Sequence, residues 1–244
     1  MGDNKVILFD LPSKGESHCW SLNPWKARLA LNYKGIPYET RWTEYPEIAP
    51  LFKSFGIAPN SAGSVPYAIP AVRMPDGRYI MDSAKIAEAL EAQQPLPSLQ
   101  LASPRVGRTQ EAVQLTDKAL TPVAKTRVPE TVLNPGSIEY FRRTRSQRFG
   151  MPLEELARSE LAGEAAWTRA AEGLARVRGV LAEDESGPYV MGLEPGFADF
   201  VLAGFWRFMQ VLDRDGDLFG RLMKYDESFP KHFAACEKWL VRDD

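Results

Sequence analysis

A change of pattern near residue 100 constrains this chain more than any other feature. Before it, strand and helix signals alternate; after it, only helix signals appear. The seam is the stretch from Gln94 to Pro104, which holds three prolines and reads as a linker. Alternating strands and helices build a small α/β sheet, whereas a run of amphipathic helices packs as a bundle of its own. The predicted fold is therefore α/β plus all-α, with residues 1–95 as the first domain and residues 105–244 as an all-helical second. The length of 244 residues suits two domains of about 100–150 residues each.

In the first half, Val6 to Phe9 is a short apolar run suited to a strand buried on both faces. A loop from Asp10 to Leu22 leads to a helix with Asn23 as N-cap and Pro24 at its first position. Trp25, Leu29 and Tyr33 recur every four residues, and Gly35 supplies the left-handed end. Pro37 to Thr43 reads as a strand, Pro46 to Phe55 as a short helix, and Ala58 to Gly63 as a turn-rich stretch. Ala68 to Met74 and Arg78 to Met81 form a hairpin about Pro75-Asp76-Gly77, and Asp82-Ser83 opens a helix carrying Ile86 and Leu90. The second half predicts helices over Val106–Arg127, kinked at Pro122, then Ser137–Phe149, Leu153–Glu183, Phe197–Leu212 and Phe229–Val241.

Charge removes several function classes. Thirty Lys and Arg against 32 Asp and Glu leave a net charge of -2, without the basic excess by which proteins neutralise nucleic-acid phosphates. No run approaches the roughly 18 apolar residues that span a membrane. Gly2 is followed by Val6 where a myristoylation signal needs Ser or Thr. Two cysteines and two histidines make neither a disulfide framework nor a metal site. These features predict a cytosolic protein without a metal cofactor.

Three pieces of the first half belong together: Ser21 before a helix N-terminus, Ile69-Pro70 at the hairpin, and Asp82-Ser83 opening the next helix. In a thioredoxin-like arrangement they meet at one sheet edge. Together with Trp25-Lys26-Ala27-Arg28-Leu29-Ala30-Leu31, Lys34-Gly35-Ile36-Pro37-Tyr38, Ala71-Val72, Asp76-Gly77, Ala84-Lys85-Ile86-Ala87 and Phe197-Ala198-Asp199, the ordered set resembles a cytosolic glutathione transferase. Ser-Leu-Asn-Pro-Trp-Lys from Ser21 is most similar to the fungal etherase-related class (FuA), relatives of bacterial lignin β-etherases.

The resemblance implies a thioredoxin-like glutathione-binding domain and a helical domain lining a second-substrate pocket. It makes glutathione the co-substrate, with Ser21 donating a hydrogen bond to its sulfur; Asn23 either caps the helix or also reaches the sulfur. Pro70 would follow a cis peptide and present the Ile69 backbone to the cysteinyl part, while Asp82 and Ser83 hold the γ-glutamyl end. Arg41 and Lys53 are candidates for the glycyl carboxylate. Leu11, Pro12 and Trp20, facing a helix around Leu120 to Val128, would line the pocket for apolar aromatic electrophiles or plant- and wood-derived polyphenols. A homodimer is also implied. The family's Ser or Thr at the start of the Asp199 helix is Gly196 here, so Asp199 serves that helix start without a hydroxyl partner.

Other residues compete for a role. Cys19, two positions before Ser21, would make the protein a thiol transferase, or else is a plain loop or core thiol. A non-catalytic polyphenol-binding protein is the remaining alternative. His18 and His232 read as solvated, Cys236 as packing, and Asp213 to Asp217 as a polar turn. Arg142, Arg143, Arg145 and Arg148 read as an exposed helix face, and Phe200, Phe205, Trp206 and Phe208 as core.

Overall fold

The computed structural model describes residues 5–60 and 65–244. Gly2 and the end of the turn-rich stretch from Ala58 to Gly63 lie outside the described residues. The first half runs β1 (Val6–Asp10), α1 (Leu22–Lys34), β2 (Tyr38–Trp42), α2 (Tyr45–Ser54), β3 (Ala71–Arg73), β4 (Tyr79–Met81) and α3 (Ser83–Gln93). Its sheet has the order β2-β1-β3-β4. The crossover through α1 makes β1 and β2 parallel, Val6 opposite Tyr38, as a βαβ unit requires. The hairpin then adds β3 antiparallel to β1, Phe9 opposite Ala71, and β4 antiparallel to β3. This is a thioredoxin-like α/β domain.

The remainder is helical: α4 (Pro104–Ala124), α5 (Val128–Thr131), α6 (Pro135–Phe149), α7 (Leu153–Leu156), α8 (Gly163–Leu181), α9 (Phe197–Val211), α10 (Phe219–Met223) and α11 (Ser228–Leu240). The helix expected over Leu153–Glu183 is two helices. Gly163 sits at φ +56°, outside the right-handed helical region, and ends any continuation between them. No helix among the described residues is long and apolar enough to cross a membrane.

Helix α9 is the spine, with Phe200, Val201, Phe205 and Trp206 wholly buried. It packs on α1, and Gly204 permits the approach: a Cβ there would stand 3.0 Å from the Trp25 Cβ and 3.1 Å from the Leu22 carbonyl. The start of α1 is therefore fixed from the helical side as well as from the sheet.

A polar slot and an aromatic cavity meeting at the start of helix α1

The end of β1 carries Asp10, wholly buried, whose Oδ1 accepts from the Leu11 amide at 2.7 Å and whose Oδ2 accepts from Arg28 Nη2 at 2.9 Å. That pair fixes the chain as it leaves the sheet. The loop beyond is held at several points: Lys14 N–H donates to the Val132 carbonyl at 2.9 Å, Cys19 N–H to the Asp243 carbonyl at 2.7 Å, and the Trp20 indole to the Pro12 carbonyl at 3.1 Å. It delivers Ser21 to the N-cap of α1 with φ −87° and ψ 137°. Ser21 is the cap by position, yet its side chain makes no capping hydrogen bond, so the hydroxyl is uncommitted. Asn23 lies inside the first turn, which corrects the expectation that it caps the helix. Its Oδ1 accepts from Lys26 Nζ at 2.9 Å, so the two donors of its amide face elsewhere.

The opposite wall comes from the hairpin and α3. The Ile69–Pro70 peptide is cis. Among the described residues the Ile69 N–H and carbonyl have no partner, although Ala71 just beyond them is in the ladder. Asp82 caps α3, its Oδ1 accepting from the amides of Ala84 at 2.9 Å and Lys85 at 3.4 Å. Its own amide donates to the Pro70 carbonyl at 3.1 Å. Asp82 stands at φ 89°, a conformation that costs a side-chain-bearing residue about 1–3 kcal/mol and persists where the surroundings enforce it. Ser83, buried, opens the helix behind it.

Two cavities join along this line, sharing Asn23, Ala68 and Ile69. The smaller, about 330 Å³, is a polar slot bounded by Pro70, Asp82 and Ser83, with Gln110 and Gln114 of α4 across it. Lys26 is the one cation in its described lining, a residue of the Ser21 motif with no role expected from the sequence. Burial pushes the Lys26 ammonium below its ordinary range, with Asp117 and Asp82 pulling the other way. Arg41 and Lys53 line neither cavity: the Arg41 guanidinium lies 5.7 Å and 5.5 Å from the Phe9 and Phe55 rings, and Lys53 Nζ 5.9 Å from the Tyr67 ring.

The larger cavity, about 640 Å³, is lined by Leu11, Trp20 and Ser21 on the sheet side. Pro12 stands outside this lining and only anchors the Trp20 indole. From the expected Leu120–Val128 region, Lys125 and Val128 take part. Helix α6 contributes Tyr140, Phe141 and a half-buried Arg145, with Arg148 at the cavity rim; Arg143 and Arg148 are exposed, as expected, whereas Arg145 is not. Arg142 is half-buried at a different cavity and pairs with Glu130 and, at 2.5 Å, with Glu154. Phe208, read as plain core, also lines the cavity, 6.4 Å from the Trp20 ring.

Cys19 faces neither of these cavities. Burial, and then the charge of Asp10, push its thiol well above the ordinary value, so it is a poor nucleophile where it stands. His232, expected in solvent, is wholly buried, with Nε2 3.1 Å from Asp199 Oδ1. Asp199 does serve its helix start without a hydroxyl: Oδ2 accepts from the Gly196 amide at 2.8 Å and Oδ1 from the Val190 amide at 2.7 Å. His18 is half exposed and pairs with Asp243 at 3.0 Å.

A free hydroxyl at a helix N-terminus, with no acidic residue in that helix's first turn, can stabilise an anion lying between a polar slot and an aromatic cavity. Residues 20–93 match the family model described as glutathione S-transferase, N-terminal domain, and residues 110–239 match glutathione S-transferase, C-terminal domain. The glutathione S-transferase-like protein ustS of Aspergillus flavus is 35% identical over 259 residues, spanning 98% of this chain and 92% of its own. Glutathione S-transferase CsGST63524 of Ceriporiopsis subvermispora, solved in complex with glutathione, is 30% identical, with a TM-score of 0.85 over 99% of this chain and 100% of its own. Glutathione transferase GSTFuA3 of Phanerochaete chrysosporium is 28% identical, with a TM-score of 0.83 over 98% of this chain and 99% of its own.

Proposed function

The chain belongs to the glutathione S-transferase family, and from that premise we propose that glutathione lies in the polar slot with its sulfur at Ser21 and attacks an electrophile held in the aromatic cavity. The observation that carries this reading is the uncommitted Ser21 hydroxyl on the wall of the aromatic cavity, two residues before Asn23, which both cavities share. The γ-glutamyl carboxylate meets Ser83 and the positive end of α3, where the helix dipole favours negative charge. The free oxygen of Asp82 answers the γ-glutamyl ammonium. The unpaired Ile69 N–H and carbonyl bind the cysteinyl part as a strand edge binds an added strand. Lys26 takes the place first given to Arg41 and Lys53, as the cation for a glutathione carboxylate.

A free thiol has a pKa near 8.5 and is only a few per cent ionised at neutral pH. One hydrogen bond to the thiolate, about 1.5–3 kcal/mol, lowers that pKa by roughly one to two units. The Ser21 hydroxyl supplies it, and the start of α1 adds its dipole. The thiol proton leaves to solvent as the sulfur becomes an anion. The sulfur lone pair then forms the carbon–sulfur bond; with an aryl halide the electron pair of the broken carbon–halogen bond departs with halide, and with an isothiocyanate the C=N π pair moves to nitrogen, which takes a proton from solvent. The aromatic wall suits flat ring electrophiles, including plant- and wood-derived phenolics. A homodimer in the cytosol accompanies this reading.

Steady-state conjugation of glutathione to aryl halides and isothiocyanates tests it. Ser21→Ala is expected to lower kcat/KM by roughly tenfold or more, equivalent to about 1.4 kcal/mol of transition-state stabilisation. It is also expected to raise the pKa of bound glutathione, read from thiolate absorbance. Equal rates in both proteins would remove Ser21 from the mechanism. Tight phenolic binding with no turnover by either protein would replace the enzyme with a binding protein.

A further inference from the structure

We propose that the aromatic cavity selects second substrates carrying an anionic group on their ring, with Arg145 as the counter-charge. The inference rests on the transferase reading above and names its substrate class. It begins with the charges that the described residues bring to the cavity lining, which are Lys125, Arg145 and Arg148 against the carboxylate of Asp117. Lys125 and Asp117 pair with each other at 2.5 Å, so that carboxylate is engaged away from Arg145.

Arg145 has only neutral company. Among the described residues no carboxylate lies within ion-pair distance of it; its polar partners are Thr144 Oγ1 at 3.3 Å and the Tyr45 hydroxyl. Tyr45 does not supply the missing negative charge: burial pushes its phenol up to about 12, against the pull of Arg145, so it stays neutral. Arg148 adds like charge, since burial and then the charge of Arg145 lower its own affinity for a proton. A partly buried guanidinium without a counter-ion favours whichever ligand brings one.

The geometry also sets the shape of that ligand. The Arg145 guanidinium lies 4.6 Å from the Phe141 ring centroid and 5.7 Å from that of Tyr45, so it is held in place before anything binds. A guanidinium presents paired donors that match a carboxylate or similar oxyanion, which a lysine would not do. Tyr45 and Tyr140 stack at 6.3 Å beside it, and Trp20 from the loop after β1 and Phe208 of α9 close another wall. The ligand that fits is a flat aromatic ring with an oxyanion substituent directed at α6.

The experiment pairs a chloronitrobenzoate with the matching chloronitrobenzamide, electrophiles of one shape that differ in charge. After division by each uncatalysed rate with glutathione, kcat/KM for the benzoate is expected to exceed that for the benzamide by about tenfold in the wild type. Arg145→Met is expected to bring the ratio close to one, whatever happens to the two rates in common, and Arg145→Lys to recover part of it. A wild-type ratio of one or below, or a ratio unmoved by Arg145→Met in a protein whose circular dichroism is unchanged, overturns the proposal. Should neither electrophile turn over, the transferase reading has failed. The charge preference is then read by calorimetric titration of both compounds, with equal affinities sinking it and a roughly tenfold bias to the benzoate upholding it.

Discussion

Lys26 brings the one positive charge to the described lining of the polar slot, and its Nζ also holds the Asn23 carbonyl oxygen at 2.9 Å. Glutathione carries two carboxylates and one ammonium, so a single well-placed cation matters more to binding than to the bond-forming step. Lys26→Met is expected to weaken glutathione binding by about tenfold, or about 1.4 kcal/mol, with a smaller fall in kcat. Calorimetry with glutathione alone measures the first quantity, and an unchanged dissociation constant removes Lys26 from the site. The same turn shows the limit of reading single residues. Pro24 and Asn23 announce a helix start, but helix ends shift by one or two residues without altering the pattern. Here the start is Leu22, so the capping position falls to Ser21 and Asn23 is released. That shift puts the Ser21 hydroxyl at the capping position without a capping bond. Ser21, Ile69, Asp82 and Ser83 were legible as a group because each stands at an element boundary that local chemistry marks. Arg145 was not, because its orientation depends on what α6 packs against.

Helix α6 shows why elements are easier to read than their faces. Its ends are marked by Pro135 in the first turn and by Gly150, which ends it in the left-handed conformation at φ +74°. With arginines at 142, 143, 145 and 148, the charges go nearly round the helix, and periodicity alone names no buried face. The packing of α6 on α2, with Phe141 against Tyr45, decides the matter in space. Close packing also decides α8. A Cβ at Gly173 would overlap Thr116 Oγ1 and come within 2.8 Å of the Thr116 backbone nitrogen, so α4 and α8 meet there backbone to backbone. Gly173→Ala gains helix propensity but must part the two helices. A net loss of about 1–3 kcal/mol is expected, seen as a fall in Tm of roughly 2–4 °C per kcal/mol. A Tm that holds or rises would mean that the helices have room to separate. Nothing in the local sequence at Gly173 marks this contact, since a helical glycine reads simply as a weak position.

At the scale of the whole molecule the seam near residue 100 was the most legible feature, because composition changes there over a long stretch. What joins the two sides was not legible, for it is made by the close packing of α9 on α1 at Gly204 and by polar groups far apart in sequence that tie α1 to the linker and to α11. Lys34 of α1 donates to the carbonyls of Gln94 at 2.6 Å and Pro97 at 2.8 Å, and Asn32 to that of Trp239 at 2.7 Å. Asp199 ties the start of α9 to the Val190 segment and, through His232, to α11. Burial alone would lower the pKa of His232, but Cys236 and the Asp199 carboxylate outweigh it and raise the pKa to about 10. A histidine whose folded pKa is raised contributes stability that is fully present below its unfolded value of 6.5 and fades as pH rises through about 10. Asp199→Asn keeps the shape and removes the charge that sustains the protonated ring. Breaking such a buried pair costs about 3–5 kcal/mol when both partners are charged. Urea unfolding of both proteins at a series of pH values is therefore expected to show the widest gap in stability at and below pH 6.5. That gap narrows as pH climbs toward 10, where the ring is neutral in both proteins and only the altered hydrogen bonds to Gly196 and Val190 remain. A gap that stays constant with pH would show that His232 is neutral in the folded protein, and that Asp199 holds the helical side together through those two amides alone.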